Sequence, residues 1–214
     1  MRYYVGTRRT CPFCERMIYN MELSPVLYHR LIRPKWFNRI FVDNVIKNKY
    51  DFAGKSVLDF GSGTGASSQM FAPASYLGVE IDLGRVEFAR KLNPKHKFEV
   101  LQVGQELPLE DGSLDYVVII SVLHHIPAEM IPGYLKDFRR ILKPGGEVLV
   151  IEPCFSNESK VCNNWMGCFD KGKFIQNLAG YTKPFSESGY QVTVHGQYRQ
   201  LFLYNKVFFS ATPI

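Results

Sequence analysis

The stretch "VLDFGSGTGASS", Val57 to Ser68, decides how this chain is read. A short apolar run, "SVLDF" (56–60), leads straight into Gly61, Gly63 and Gly65. A run with no polar alternation is the pattern of a strand covered on both faces, as in a parallel sheet. Glycine after such a strand permits positive φ and lets a ligand approach the backbone with no Cβ in the way. In open parallel sheets, ligands sit beyond the carboxyl ends of the strands. The spacing predicts a helix over "GASSQMFA" (65–72) directly after the loop.

What the loop lacks narrows what it binds. There is no Gly-Lys-Ser/Thr, so it is not a phosphate-binding P-loop. The nicotinamide fingerprint needs Gly-x-Gly-x-x-Gly, and here the third glycine comes one residue early. Asp59 precedes the loop inside the strand, where a carboxylate attracts a cation and repels a pyrophosphate. Glu80 ends the next apolar run, where an acid can take both ribose hydroxyls. The ligand inferred is a nucleoside carrying positive charge.

Downstream, strands and helices alternate. "YLGVEID" (76–82), "KFEVLQV" (97–103), "SLDYVVIISV" (113–122) and "EVLVIEP" (147–153) read as strands. "GRVEFARKL" (84–92) and the amphipathic "PAEMIPGYLKDFRRIL" (127–142) read as helices, and "KPGG" (143–146) as a turn. Five strands alternating with helices make an α/β parallel sheet with helices on both faces. "YQVTVHGQYRQLF" (190–202) and "YNKVFFSAT" (204–212) are separated by Leu203 alone. A parallel crossover needs a dozen or more residues, so these two strands must pair antiparallel.

At this point the chain resembles a known family. "VLDFGSGTG", "GVEID", "LPLEDGSLDYVVIISVLHHI" and "LKPGGEVLVIEP" look like the successive motifs of class I S-adenosylmethionine-dependent methyltransferases, nearest in style to the ubiquinone and menaquinone branch. The resemblance covers about residues 54–153 and suits the terminal hairpin. It implies a Rossmann-like seven-stranded sheet of order 3-2-1-4-5-7-6 with strand 7 antiparallel. It implies S-adenosylmethionine as cofactor and S-adenosylhomocysteine as product. Matched onto this chain, Asp59, Gly61, Ser62, Gly63, Thr64 and Gly65 form the loop around the methionine moiety. Glu80 is the ribose acid, Ile81 packs on the adenine, and Ser121 borders the cofactor. The family often has an Asp for the adenine amino group where Val103 stands here. Gln102, Gln105 or backbone groups are the alternatives. Beyond this, the expectation is methyl transfer to a small-molecule acceptor. Transfer to nucleic acid or protein, and a non-catalytic homologue, are the competing readings. No nucleic-acid module is appended, so no nucleic-acid partner is expected.

Methyl transfer from a sulfonium is an in-line displacement, for which a protein supplies orientation, desolvation and in some cases a base. His124 and His125 lie just past the fourth strand and Glu152 ends the fifth, so these are the candidate catalytic groups. Adjacent residues point different ways, so one histidine is expected to face the site. The acceptor pocket is expected under the amino-terminal helices and the segment after the fifth strand. Those parts carry Tyr28, His29, Trp36, Trp165 and Phe169, which suit a ring-shaped, apolar or cationic acceptor or an ordinary core.

Residues 1–50 read as a helical extension forming a lid, and 51–214 as the methyltransferase domain. Ser24-Pro25 is a helix start, and two short helices are predicted over about 25–33 and 35–49, broken at Pro34. No apolar run reaches the roughly 18 residues that span a bilayer, and no apolar segment follows the basic start. A cytoplasmic protein is expected, and oligomeric state is left open. The formal net charge of +6 is concentrated early, in "RLIRPKWFNR" (30–39) and "KNK" (47–49), a solvated face or an attraction for anions.

Five cysteines, at 11, 14, 154, 162 and 168, complete the inventory. "TCPFC" has dithiol spacing but lacks the strand a redox motif requires before it. Free thiols in a helix start are one reading. A structural zinc site built from Cys11, Cys14, Cys162 and Cys168 is another, pinning the lid to the segment after the fifth strand. Thiol-dependent methylation of a soft metalloid is a third.

Overall fold

The computed structural model describes residues 38–156, 158–169, 174–201 and 204–214, the side chains of 168 and 169 excepted. The predicted amino-terminal helix over 25–33 lies outside these residues, as do Tyr28, His29 and Trp36. The end of the second is present: a π-helical turn Arg39–Asp43 runs into α1, Asn44–Lys47.

The strands are β1 (Val57–Phe60), β2 (Tyr76–Glu80), β3 (Lys97–Val100), β4 (Leu114–Ile120) and β5 (Leu142–Phe155). They continue with β6 (Gln176–Asn177), β7 (Tyr190–Gln200) and β8 (Tyr204–Pro213). The sheet runs β3-β2-β1-β4-β5-β8-β7. β1 to β5 pair parallel, and β8 pairs antiparallel with both β5 and β7. This is the expected path. The two-residue β6 beside Cys154 and Phe155 moves the last two strand numbers up by one.

β4 shows why its sequence has no wet face. Val117 and Ile119 join the core on one side, with Leu135 and Phe138 of α3 (Ile131–Ile141) and Phe185 of α5 (Leu178–Glu187). Val118 and Ile120 join the core on the other, with Ile46 of α1 and Val86 and Ala89 of α2 (Leu83–Leu92). The period of two sends alternate residues to two buried faces. The "KPGG" turn is a bulge within β5: Leu114 pairs Leu142 while Tyr116 already pairs Glu147.

Three elements depart from expectation. Residues 65–72 form no α-helix, only the 3-10 turn Ser68–Met70. Ser68 Oγ donates to the Gly65 carbonyl, an alternative to the helical ladder, and Pro73 follows within one turn. Two helices were also not foreseen, α4 (Lys160–Phe169) and α5. α4 contains Asn-Asn and Gly and α5 contains Gly and Pro184, which are weak formers or breakers. Burial of Cys162, Met166, Tyr181 and Phe185 holds them in place.

Candidate active site

β1 lies where the strand order reverses, with β2 on one side and β4 on the other, so a crevice opens at its carboxyl end. The glycine loop fills the base of that crevice. Gly61 and Ser62 donate their N–H groups to the Val79 carbonyl at 2.8 and 2.9 Å, tying the loop to β2. Gly61, Gly63 and Gly65 all have positive φ. At Gly61 a Cβ would come within 2.5 Å of Val122 Cγ2, so this residue must also be small where the chain leaving β4 crosses the loop.

Glu80 holds the opposite wall. Its Oε2 accepts the Gly63 N–H at 3.0 Å, and its Oε1 accepts those of Ile81 and Asp82 at 2.8 and 3.2 Å. A carboxylate offers about four acceptor directions, so three amides leave capacity for a ligand hydroxyl. Asp82 caps α2 by accepting from Arg85 N–H at 3.0 Å, and so turns the chain away from the crevice. Ile81 is left 60% exposed at its rim, as an apolar platform for a flat ring requires. Asp59 is buried beneath the loop, where Tyr76 Oη donates to its Oδ2 at 2.8 Å. Burial, and then the Asp59 charge, hold the Tyr76 phenol well above its usual range. Ser62 and Thr64 are buried within the loop. Gln105 and Val103 are both exposed in the turn after β3. A positive-φ loop, a carboxylate with spare capacity and an exposed apolar neighbour fit a cationic nucleoside.

Next to the loop, the chain leaving β4 builds a second centre. Ser121 adopts φ 57°, left-handed for a residue with a side chain. Val122 and Leu123 then donate their N–H groups to Glu152 Oε1 at 2.6 and 2.8 Å. His124 Nδ1 lies 2.6 Å from Glu152 Oε2. Glu152 is 0% exposed and His124 3%. His125 is exposed, its ring centroid 4.0 Å from that of His124. The two candidate histidines are thus divided, one buried on a carboxylate and one at the surface. The structure also brings in a residue that sequence reasoning missed. Lys206, near the start of β8 and buried, donates from Nζ to Ser121 Oγ at 3.1 Å. Its signal was a single cation in "YNKVFFSA", ahead of an unbroken apolar run.

Of the four cysteines of the zinc reading, Cys11 and Cys14 lie outside the described residues, as does the side chain of Cys168, and Cys162 is buried on α4 (Lys160–Phe169). Cys154 and Cys162 are buried, and among the described residues no three His, Cys, Asp or Glu side chains group as metal ligands. Trp165 on α4 is exposed. Among the described residues no helix is long and apolar enough to cross a membrane.

Residues 58–150 match the protein family described as "Methyltransferase domain". The chain is 35% identical over 105 residues to a demethylmenaquinone methyltransferase of Tropheryma whipplei, covering 47% of this chain and 42% of that one. It is 31% identical over 104 residues to a fatty-acid O-methyltransferase of Mycolicibacterium smegmatis, covering 46% and 37%. The chain therefore spans about two fifths of these relatives' length. A crystal structure of a Thermotoga maritima methyltransferase superposes with a TM-score of 0.69 at 18% identity, covering 94% of this chain and 98% of that one, and shares the fold.

Proposed function

We propose that this chain is a class I S-adenosylmethionine-dependent methyltransferase that transfers a methyl group to a small-molecule acceptor. The observation that carries the reading is the contact between its two centres: the glycine loop, tied to Glu80, meets through Gly61 and Val122 the turn that holds Glu152 and His124. Asp59, Gly61, Ser62, Gly63, Thr64, Gly65, Glu80, Ile81, Gln105 and Ser121 are the residues that would hold the cofactor. When bound, S-adenosylmethionine supplies a methyl already activated on a sulfonium, so the S–CH3 bond breaks as the bond to the acceptor forms.

The chain's own residues then orient the acceptor and deal with its proton. Glu152 accepts two backbone N–H groups and the Nδ1–H of His124. That assignment leaves the lone pair of neutral His124 on Nε2. His124 Nε2 takes the proton of an O–H acceptor as the new O–CH3 bond forms, and Glu152 orients and stabilises the imidazolium. Glu152 works through His124, since it is itself fully buried.

Titration calorimetry with S-adenosylmethionine tests the cofactor reading, and transfer of its labelled methyl to pooled phenols, hydroxyquinones and fatty acids tests the reaction. Saturable cofactor binding together with a labelled, extractable product is the result expected. Lack of binding at millimolar cofactor sinks the enzyme reading.

A further inference from the structure

The exposed residues 102–106 form the turn after β3, between the buried Leu101 and Leu107. Parallel pairing sets the carboxyl ends of β1, β2 and β3 side by side, in that order across the sheet. The glycine loop, Glu80 and this turn follow those three ends in the same order. A nucleoside laid on the glycine loop with its ribose at Glu80 therefore meets the turn with its base.

Both ends of the turn are held. At its start, Leu101 donates its N–H to the Glu80 carbonyl at 2.9 Å. At its end, α3 grips both backbone groups of Leu107. Asp137 Oδ2 accepts the Leu107 N–H at 2.6 Å, and Arg140 Nη2 donates to the Leu107 carbonyl at 3.0 Å. Arg140 Nη1 donates to the Leu109 carbonyl and to Asp111 Oδ1, both at 2.7 Å. Arg140 Nε and Nη2 approach Asp137 Oδ1 at 2.8 and 2.6 Å, which locks the two side chains together. A guanidinium carries its N–H donors in one rigid plane, and here all three of its nitrogens are engaged. The Asp137 side chain is 11% exposed and that of Arg140 27%, so the pair is not a freely solvated ion pair.

We propose that Asp137 and Arg140 are positioning residues for cofactor binding: through Leu107 they hold the turn 102–106 in shape as the wall against the adenine. The proposal rests on the methyl-transfer reading above and adds to it the support of the wall on the base side. A loop fixed in its binding shape before the ligand arrives loses little conformational freedom on binding, so affinity rises. Lysine does not replace Arg140 here, because an ammonium keeps the charge but presents three donors from a single point.

Hydrogen–deuterium exchange on the whole chain, with and without saturating S-adenosylhomocysteine, tests this on peptides covering 58–66 and 101–107. In the wild-type chain the ligand slows exchange in both segments. Arg140→Lys lowers affinity for S-adenosylhomocysteine by about tenfold. At ligand concentrations that still saturate this variant, the slowing persists at 58–66 and is lost at 101–107. If Arg140→Lys does not fold, Asp137→Asn is read in the same way. A wild-type chain whose ligand slows 58–66 but leaves 101–107 unchanged overturns the proposal without any variant. So does an Arg140→Lys chain that keeps the slowing in both segments, or one that loses it in both, which would make the clamp a general prop of the fold. Failure of S-adenosylhomocysteine to slow either segment of the wild-type chain is a different outcome and counts against the methyl-transfer reading itself.

Discussion

His124 Nδ1 lies 2.6 Å from Glu152 Oε2, and the other carboxylate oxygen is held by the amides of Val122 and Leu123. One carboxylate thereby fixes both the path of the turn and the tautomer of the imidazole. Glu152→Gln separates the two roles. The amide oxygen can still accept from the backbone, but its NH2 then faces the Nδ1–H, and the ring must turn its lone pair to Nδ1. Methyl transfer to an O–H acceptor falls by about 10²–10⁴ in kcat, with S-adenosylhomocysteine affinity changed little. A loss of thermal stability with full turnover would instead make Glu152 a structural anchor.

Gly61 is constrained twice, by φ 74° and by Val122 Cγ2 at 2.5 Å from a Cβ position. Gly61→Ala costs about 1–2 kcal/mol for the left-handed backbone and adds the clash. Combining it with Val122→Ala relieves the clash alone. The double variant recovers part of the stability lost in Gly61→Ala, and cofactor affinity follows the same order. A double variant no more stable than the sum of the two single losses shows that the contact is not the constraint.

Burial pushes the Cys154 thiol up to about 11. At pH 8 it is a thiol, and the thiolate is the nucleophile and the metal or metalloid ligand. Iodoacetamide followed by peptide mapping finds Cys154 unmodified in the native chain and modified in guanidinium. Rapid native labelling would place a reactive thiolate at the end of β5 and favour the soft-metalloid reading.

The parts of this fold legible in the sequence are those where a local pattern and the final burial agree. The residues 117–120 of β4 are apolar because both faces of the strand are covered, and the loop glycines Gly61, Gly63 and Gly65 stand where the chain leaving β1 takes positive φ. The short link through Leu203 forced the antiparallel pair. The helices α4 and α5 were not legible, because Asn, Gly and Pro weaken their local preference and packing of Met166 and Phe185 decides. The helix expected at 65–72 failed for the opposite reason: its composition allows a helix, but the Ser68 hydroxyl and Pro73 end it after one turn. At the candidate site, spacing singled out His124, Glu152 and Glu80 because each ends or follows a strand. It could not find Lys206, which reaches the site across a neighbouring strand, or the Glu152–His124 bond itself, since 28 residues separate the partners.

Asp43 gives the stability of the chain a pH dependence of predictable sign. It sits in the π-helical turn before α1, where Asn38 Nδ2 donates both to its Oδ1 at 3.0 Å and to Ser67 Oγ at 2.8 Å, tying that turn to the segment after the glycine loop. Burial raises its carboxyl from 3.8 to about 6, while Lys47 and the hydrogen bonds pull the other way. The folded chain therefore holds the Asp43 proton more tightly than the unfolded chain. The stabilisation from that proton is fully present below pH 3.8 and is lost as pH rises through about 6. After allowance for its partial exposure to solvent, the contribution is on the order of 1 kcal/mol. Asp43→Asn keeps an acceptor for Asn38 and is always neutral. Its denaturant midpoint exceeds that of the wild-type chain at pH 8 and converges with it at pH 4. Equal shifts at both pH values would assign the effect to the altered hydrogen bonds and not to the buried charge.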